Sequence, residues 1–95
     1  MSFHTLWAII HETAFIHMVR DDKQKIKEFY HCLEYVIPCG KCKRHYHNFL
    51  RDNPIPDDMT LFEWSVNLHN SVNEKLGKPT MTTDEAFKIW GTNNE

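Results

Sequence analysis

The chain has no apolar run able to cross a bilayer, which takes about 20 consecutive residues. Its most hydrophobic stretch, from Leu6 to Met18, contains His11, Glu12 and His17. That stretch also lacks a basic leader and a small-residue cleavage site, so it does not read as a signal peptide. No alternating apolar and polar pattern marks a strand. There is no repeat and no low-complexity segment. Positive charge is not in excess: 11 Lys and Arg face 13 Asp and Glu, for a formal net charge of -2. That balance argues against a general nucleic-acid binder, which needs a basic patch for phosphates. Glycine and cysteine are both scarce, at 3 residues each.

Two of those cysteines stand close together, in Cys39-Gly40-Lys41-Cys42. A CxxC is the spacing for a redox-active thiol pair or for two ligands of a zinc ion. The expected setting is a cytosol-like compartment, with no membrane partner. Structural disulfides are rare there, and a thiol pair is more often catalytic or metal-binding. The third cysteine, Cys32, has no evident mate and is expected as a buried helix residue. A chain of 95 residues makes a single domain, 1–95.

The periodicity is helical throughout. Trp7, Ile10, His11, Ala14, Phe15, Met18 and Val19 recur at three and four residues, one face of a first helix. Arg20-Asp21-Asp22 breaks it. Ile26, Phe29, Tyr30, Leu33 and Val36 form a second stripe, which Pro38 ends. A third helix carries Cys39, Cys42, His45, Tyr46, Phe49 and Leu50. The segment 53–58 is a loop rich in Pro and Asp. Thr60-Leu61-Phe62-Glu63 has the form of a capping box and opens a fourth helix. Its buried stripe is Leu61, Trp64, Leu68, Val72 and Leu76, with Gly77 at the C-terminal cap and Pro79 beyond. A second capping box, Thr82-Thr83-Asp84-Glu85, starts a short fifth helix ending near Trp90. The expected fold is all-α: a four-helix bundle plus a short fifth helix.

A thiol at a helix N-terminus gains thiolate character from the free N–H groups and the helix dipole. Lys41, Lys43 and Arg44 add positive charge. Zinc is the weaker alternative. Cys39, Cys42, His45 and His47 lie on one short segment, whereas tetrahedral closure normally needs two. His47 also points away from the Cys42 and His45 face. No metal is therefore expected. Redox chemistry needs an electron acceptor, and the segment from His69 to Pro79 supplies polar groups for one. His69, Asn70 and Asn73 would form a groove beside Leu68 and Val72, with Lys75 and Lys78 suited to phosphates. Trp7 and His11 are i, i+4 neighbours on the first helix. Aromatics, amides and lysines together describe a dinucleotide site.

The run Trp7-x-x-x-His11, Pro38-Cys39-Gly40-Lys41-Cys42-x-x-His45, His69-Asn70-x-Val72-Asn73-x-Lys75-Leu76-Gly77-Lys78-Pro79 and Trp90 resembles the Erv/ALR flavin-linked sulfhydryl oxidases, in order and in helical placement. The short form is similar to those of large DNA viruses. The resemblance implies FAD held in the helical bundle, oxygen as acceptor with hydrogen peroxide as product, and a homodimer. Cys42 would lie against the flavin and Cys39 would exchange with substrate. Trp7, His11, His45, His69, Asn70, Val72, Asn73, Lys75, Lys78 and Trp90 would line the FAD site. The pattern departs at Phe3, His4 and Ile37, where members often carry Gly, Arg and an aromatic residue. With Cys32 as the remaining cysteine, a thiol-containing protein substrate or redox carrier protein would meet Cys39 directly. The expected location is cytoplasmic, in the host cytoplasm or virion if the source is viral. The alternatives are a zinc-stabilised helical adaptor and a flavin-free disulfide carrier.

Overall fold

The computed structural model describes residues 3–17, 23–58 and 60–91. Five α-helices make up the described residues, with no strand: α1 (Phe3–His17), α2 (Lys23–Cys32), α3 (Gly40–Asp52), α4 (Leu61–Lys75) and α5 (Thr83–Ala86). A 3-10 turn, Leu33–Val36, extends α2, and a π-helical turn, Phe87–Gly91, extends α5. The expected helical bundle with a short fifth helix is thus the observed fold. Met18, Val19 and the expected break at Arg20-Asp21-Asp22 lie outside the described residues.

The core runs between α1 and α4, which make the most extensive contact of any two elements. Leu6, Ile10 and Ala14 face Leu61, Phe62, Val66 and Leu68, all buried. Burying each of the larger of these side chains, Leu, Ile, Val or Phe, contributes about 1.5–3 kcal/mol. A ladder of two tyrosines then ties three helices together. The hydroxyl of Tyr30, on α2, donates to the Ile10 carbonyl at 2.8 Å. The hydroxyl of Tyr46, on α3, donates to the Tyr30 carbonyl. Trp64 packs edge-on against Tyr30 and donates its indole N–H to the Asn53 carbonyl at 3.0 Å.

Four local expectations are corrected. The α2 stripe does not run on to Val36, which is 44% exposed. The ring of Pro38 disfavours a helical residue before it, so Ile37 becomes extended and is buried instead. Cys32 is exposed rather than buried, because it falls between Tyr30 and Leu33 on the outer side of α2. Thr60 makes no side-chain cap bond. Its hydroxyl and N–H both donate to Asp58 Oδ1, at 2.6 and 2.9 Å. Donation to that carboxylate aims the hydroxyl back at Asp58 instead of forward at the Glu63 N–H, which it would have to accept as a cap. Leu76, placed on the α4 stripe, is 59% exposed, because the helix has already ended at Lys75.

Both expected signals at the last junction hold. Gly77 has φ 70, and its N–H donates to the Glu74 carbonyl while that of Lys78 donates to the Asn73 carbonyl. This is a Schellman cap, whose left-handed residue favours glycine. The capping box at Thr82 and Glu85 is complete. The wide π turn that follows buries Trp90 and leaves Ile89 exposed.

Candidate functional site

Pro38 and the extended Ile37 bring the chain out of the 3-10 turn and into α3. Cys39 sits at the N-cap, with extended backbone, and Cys42 lies in the first turn. Cys39 is exposed and Cys42 is half-buried; both are free thiols, and each shifts the titration of the other. The backbone N–H of Cys42 and its thiol, then the Lys41 N–H and charge, hold the Cys39 pKa below the ordinary thiol value. Cys42 is pushed the other way, by donating to Cys39 and by burial. The sequence expectation was a lowered pKa for at least one thiol. The structure assigns it to the exposed one.

Cys42 opens on a cavity of 360 Å³, walled by α1, Ile37, Tyr46 and the last turns of α4. The lining is chiefly apolar, with Phe3, Leu6, Trp7, Ile10, Val72 and Leu76. Its polar members are His4, His69, Asn73 and Lys78. Of the residues expected around a dinucleotide, Trp7, His69, Val72, Asn73 and Lys78 therefore reach the cavity beside Cys42. His11 and Trp90 form a second layer. The His11 ring stacks on Trp90 at 4.1 Å between centroids, and His69 stacks on Trp7 at 3.8 Å with 9° between planes.

The expected polar groove of His69, Asn70 and Asn73 is not one surface. Ser65, His69 and Asn73 are spaced i, i+4, i+8 and share a face of α4. Asn70 lies off that face. Its amide donates to the Met81 carbonyl at 2.7 Å and accepts from the Met81 N–H at 2.9 Å. It clamps the segment leading to α5 and does not line the cavity. His45 turns to Ser71, with Nε2 3.0 Å from the hydroxyl. Burial, then the Lys75 charge, lowers its pKa. Lys75 itself is exposed and outside the lining. His47 pairs with Glu34 at 2.8 Å. The two histidines of the zinc alternative are therefore committed to other partners. Among the described residues no three His, Cys, Asp or Glu side chains converge as metal ligands.

Sequence reasoning missed Leu6, Ile10, Tyr46 and Leu76 as cavity residues, and met Phe3, His4 and Ile37 only as departures from the family pattern. A signal existed for several of them. Phe3, Leu6, Trp7 and Ile10 share one helical face, and Tyr46 lies one turn after Cys42. An apolar stripe gives no sign of where a core stops and a cavity starts.

Two histidines are buried here: His69 lines the cavity wall and His11 sits behind it. His11 is fully buried, and its Nε2 lies 2.8 Å from His69 Nδ1. Its Nδ1 lies 3.0 Å from the Ser65 hydroxyl. Burial, then the neighbouring His69, brings the His11 pKa down to about 3. Burial, then Lys78, brings His69 down to about 4. Both rings are neutral at pH 7. Asn73 is also buried, yet its side-chain amide has no hydrogen-bond partner among the described residues.

Comparison with known proteins bears on the family and the fold. The chain is 32% identical over 90 residues to a probable FAD-linked sulfhydryl oxidase of Acanthamoeba polyphaga mimivirus, covering 86% of this chain and 63% of that protein. It is 28% identical over 89 residues to the mitochondrial FAD-linked sulfhydryl oxidase ERV1 of Saccharomyces cerevisiae, covering 88% of this chain and 47% of that one. The chain thus spans less than two thirds of either relative's length. The crystal structure of the yeast Erv1 core superposes with a TM-score of 0.84 over 98% of this chain and 83% of that one, at 24% identity, a likeness of fold. The profile of the Erv1 / Alr family matches residues 3–91. With a match over that much of its length, the chain belongs to the Erv1 / Alr family.

Proposed function

We propose that this protein is an FAD-dependent thiol oxidase that forms disulfides in protein substrates. The observation that carries this reading is the division of the thiol pair. Cys39 faces solvent, while Cys42 faces a cavity lined by the buried, unpartnered Asn73 amide. A buried donor or acceptor left unsatisfied costs about 1–3 kcal/mol. The Asn73 amide therefore points to a polar ligand. The cavity's size lies within the range of cofactor clefts, about 300–1,000 Å³. Its apolar and aromatic walls suit a planar ring, and its polar end suits a nucleotide. These residues fit FAD. Trp7, Val72 and Cys42 would hold the ring system, and His69, Asn73 and Lys78 the polar part. Both relatives are named as FAD-linked sulfhydryl oxidases, which supports the same choice.

The chain's own part in the reaction is disulfide exchange. A substrate thiolate attacks the Cys39 sulfur of the Cys39–Cys42 disulfide. The bond between the two cysteines breaks, and Cys42 leaves as a thiolate. A second substrate thiolate attacks the substrate sulfur of the mixed disulfide, and Cys39 leaves in turn. Its lowered pKa makes Cys39 the better leaving group in that second step. The substrate has then lost two electrons and two protons, and the enzyme holds two thiols. When bound, FAD would supply a two-electron acceptor that oxygen could reoxidise to give hydrogen peroxide. Cys42 is held where such transfer is effectively intramolecular.

The partner is then a thiol-containing protein or carrier, met at Cys39. A homodimer working in the cytoplasm, or in a virion if the source is viral, belongs to the same proposal and rests on the family resemblance. Oxygen uptake with a dithiol is the experiment. The expected result is one hydrogen peroxide formed per disulfide. Uptake without peroxide, or no uptake by a protein that retains flavin, contradicts the proposal.

A further inference from the structure

The hydrogen bonds behind the cavity fix where each imidazole proton sits. A hydroxyl has one proton to give. Ser65 gives its proton to the Phe62 carbonyl at 2.6 Å. Toward His11 it can only accept, so His11 Nδ1 carries the proton of that 3.0 Å contact. A neutral imidazole with Nδ1 protonated has a bare Nε2. That nitrogen must then accept across the 2.8 Å contact, and His69 Nδ1 donates. His69 is left with a bare Nε2, on the ring edge away from His11. His69 is 8% exposed and lines the cavity, and no described residue bonds to that nitrogen.

We propose that Ser65 and His11 are positioning residues that set the tautomer of His69, so that the cavity wall presents a hydrogen-bond acceptor and selects a ligand with a neutral donor, an amine or hydroxyl, at that point. The burial that keeps both rings neutral is what makes the direction definite, since a charged ring would donate from both nitrogens. Lys78, at the same end of the cavity, adds a positive charge that disfavours a cationic donor. The same device recurs farther along α4, at Ser71. Ser71 donates to the Leu68 carbonyl at 2.7 Å, so its oxygen accepts from His45 Nε2 at 3.0 Å. In both places a serine bonded back to the carbonyl three residues earlier becomes an acceptor for a histidine of another helix.

The choice of ligand rests on the flavin nucleotide reading; the tautomer does not. The test is a long-range nitrogen–proton correlation spectrum of histidine-labelled protein, as purified, at pH 7. His11 and His69 should each show a protonated Nδ1 and a bare Nε2. A proton on His69 Nε2 overturns the proposal, whether or not flavin is bound. The expected pattern in a protein without flavin upholds the relay and sinks the flavin reading alone. In Ser65→Ala, His11 loses its acceptor, its proton moves to Nε2, and His69 must turn over to a protonated Nε2. The affinity for FAD should fall about tenfold in that variant. A fall in affinity with unchanged tautomers would mean that Ser65 acts only through packing, which also overturns the proposal. The wild-type spectrum decides the matter even if Ser65→Ala fails to fold.

Discussion

Replacing Cys42 by serine is expected to reduce dithiol-driven oxygen uptake to background while flavin stays bound. Serine keeps the size of the side chain at the cavity wall, so the lining persists. It cannot form a disulfide or carry electrons inward. Cys42 is the cysteine that lines the cavity, and an exposed thiol elsewhere cannot replace its position. Holding two reacting groups in place is worth up to about 7–11 kcal/mol of barrier, so the loss should be complete within detection. Cys39→Ser should also stop turnover, because the disulfide is gone. The two variants should differ in thiol chemistry. In a Cys32→Ser background, the lone Cys39 of Cys42→Ser should react with a chromogenic aromatic disulfide about tenfold or more faster than the lone Cys42 of Cys39→Ser. The reason is exposure, together with the N–H groups at the start of α3. Equal rates would refute the division of labour between the two thiols. Full oxidase activity in Cys42→Ser would refute the proposed function.

The second large effect is acid instability well above the carboxylate range. His11 and His69 have folded pKa values of about 3 and about 4, below the ordinary 6.5. Between those values and 6.5 the unfolded chain takes up protons that the folded chain refuses. Stability is therefore full above pH 6.5 and falls as pH drops toward 4. Each histidine contributes a slope of up to about 1.4 kcal/mol per pH unit. Together they should remove up to about 4 kcal/mol by pH 5. Burial moves His45 in the same direction. Asp52, Asp58 and Glu85 have lowered pKa values through bonds to Arg51, Thr60 and Thr82. Their loss begins only at lower pH. Urea unfolding followed by helical circular dichroism should give midpoints that fall steadily from pH 7 to pH 5. A flat midpoint over that interval would mean the buried histidines are hydrated or charged in the folded protein.

The helices were legible because their signals are local. Period, Pro38, Gly77 and the Thr82–Glu85 box each act within a few residues, and the structure follows them. The errors come where a neighbour competes. Asp58 takes the Thr60 hydroxyl from its expected cap, and Pro38 tightens the end of α2 so that Ile37, not Val36, is buried. The candidate site was legible as a set of residue types, less so as a surface. The sequence could not separate Asn70 from Asn73, two similar amides three residues apart. One clamps Met81 and the other lines the cavity. Nor could it show that His11 touches His69, since 58 positions separate them. Ser65 carried no motif at all, and its role exists only through the side chains folded around it.

The central claim is that electrons leave a dithiol through the thiol pair and enter a flavin in the cavity beside Cys42. The visible absorption spectrum of the purified protein, recorded without air before and after a dithiol is added, tests it most directly. A yellow protein whose flavin band bleaches, and does not bleach in Cys42→Ser, is the predicted result. A colourless protein that binds no added FAD, or a flavin band that the dithiol leaves unchanged, would contradict it.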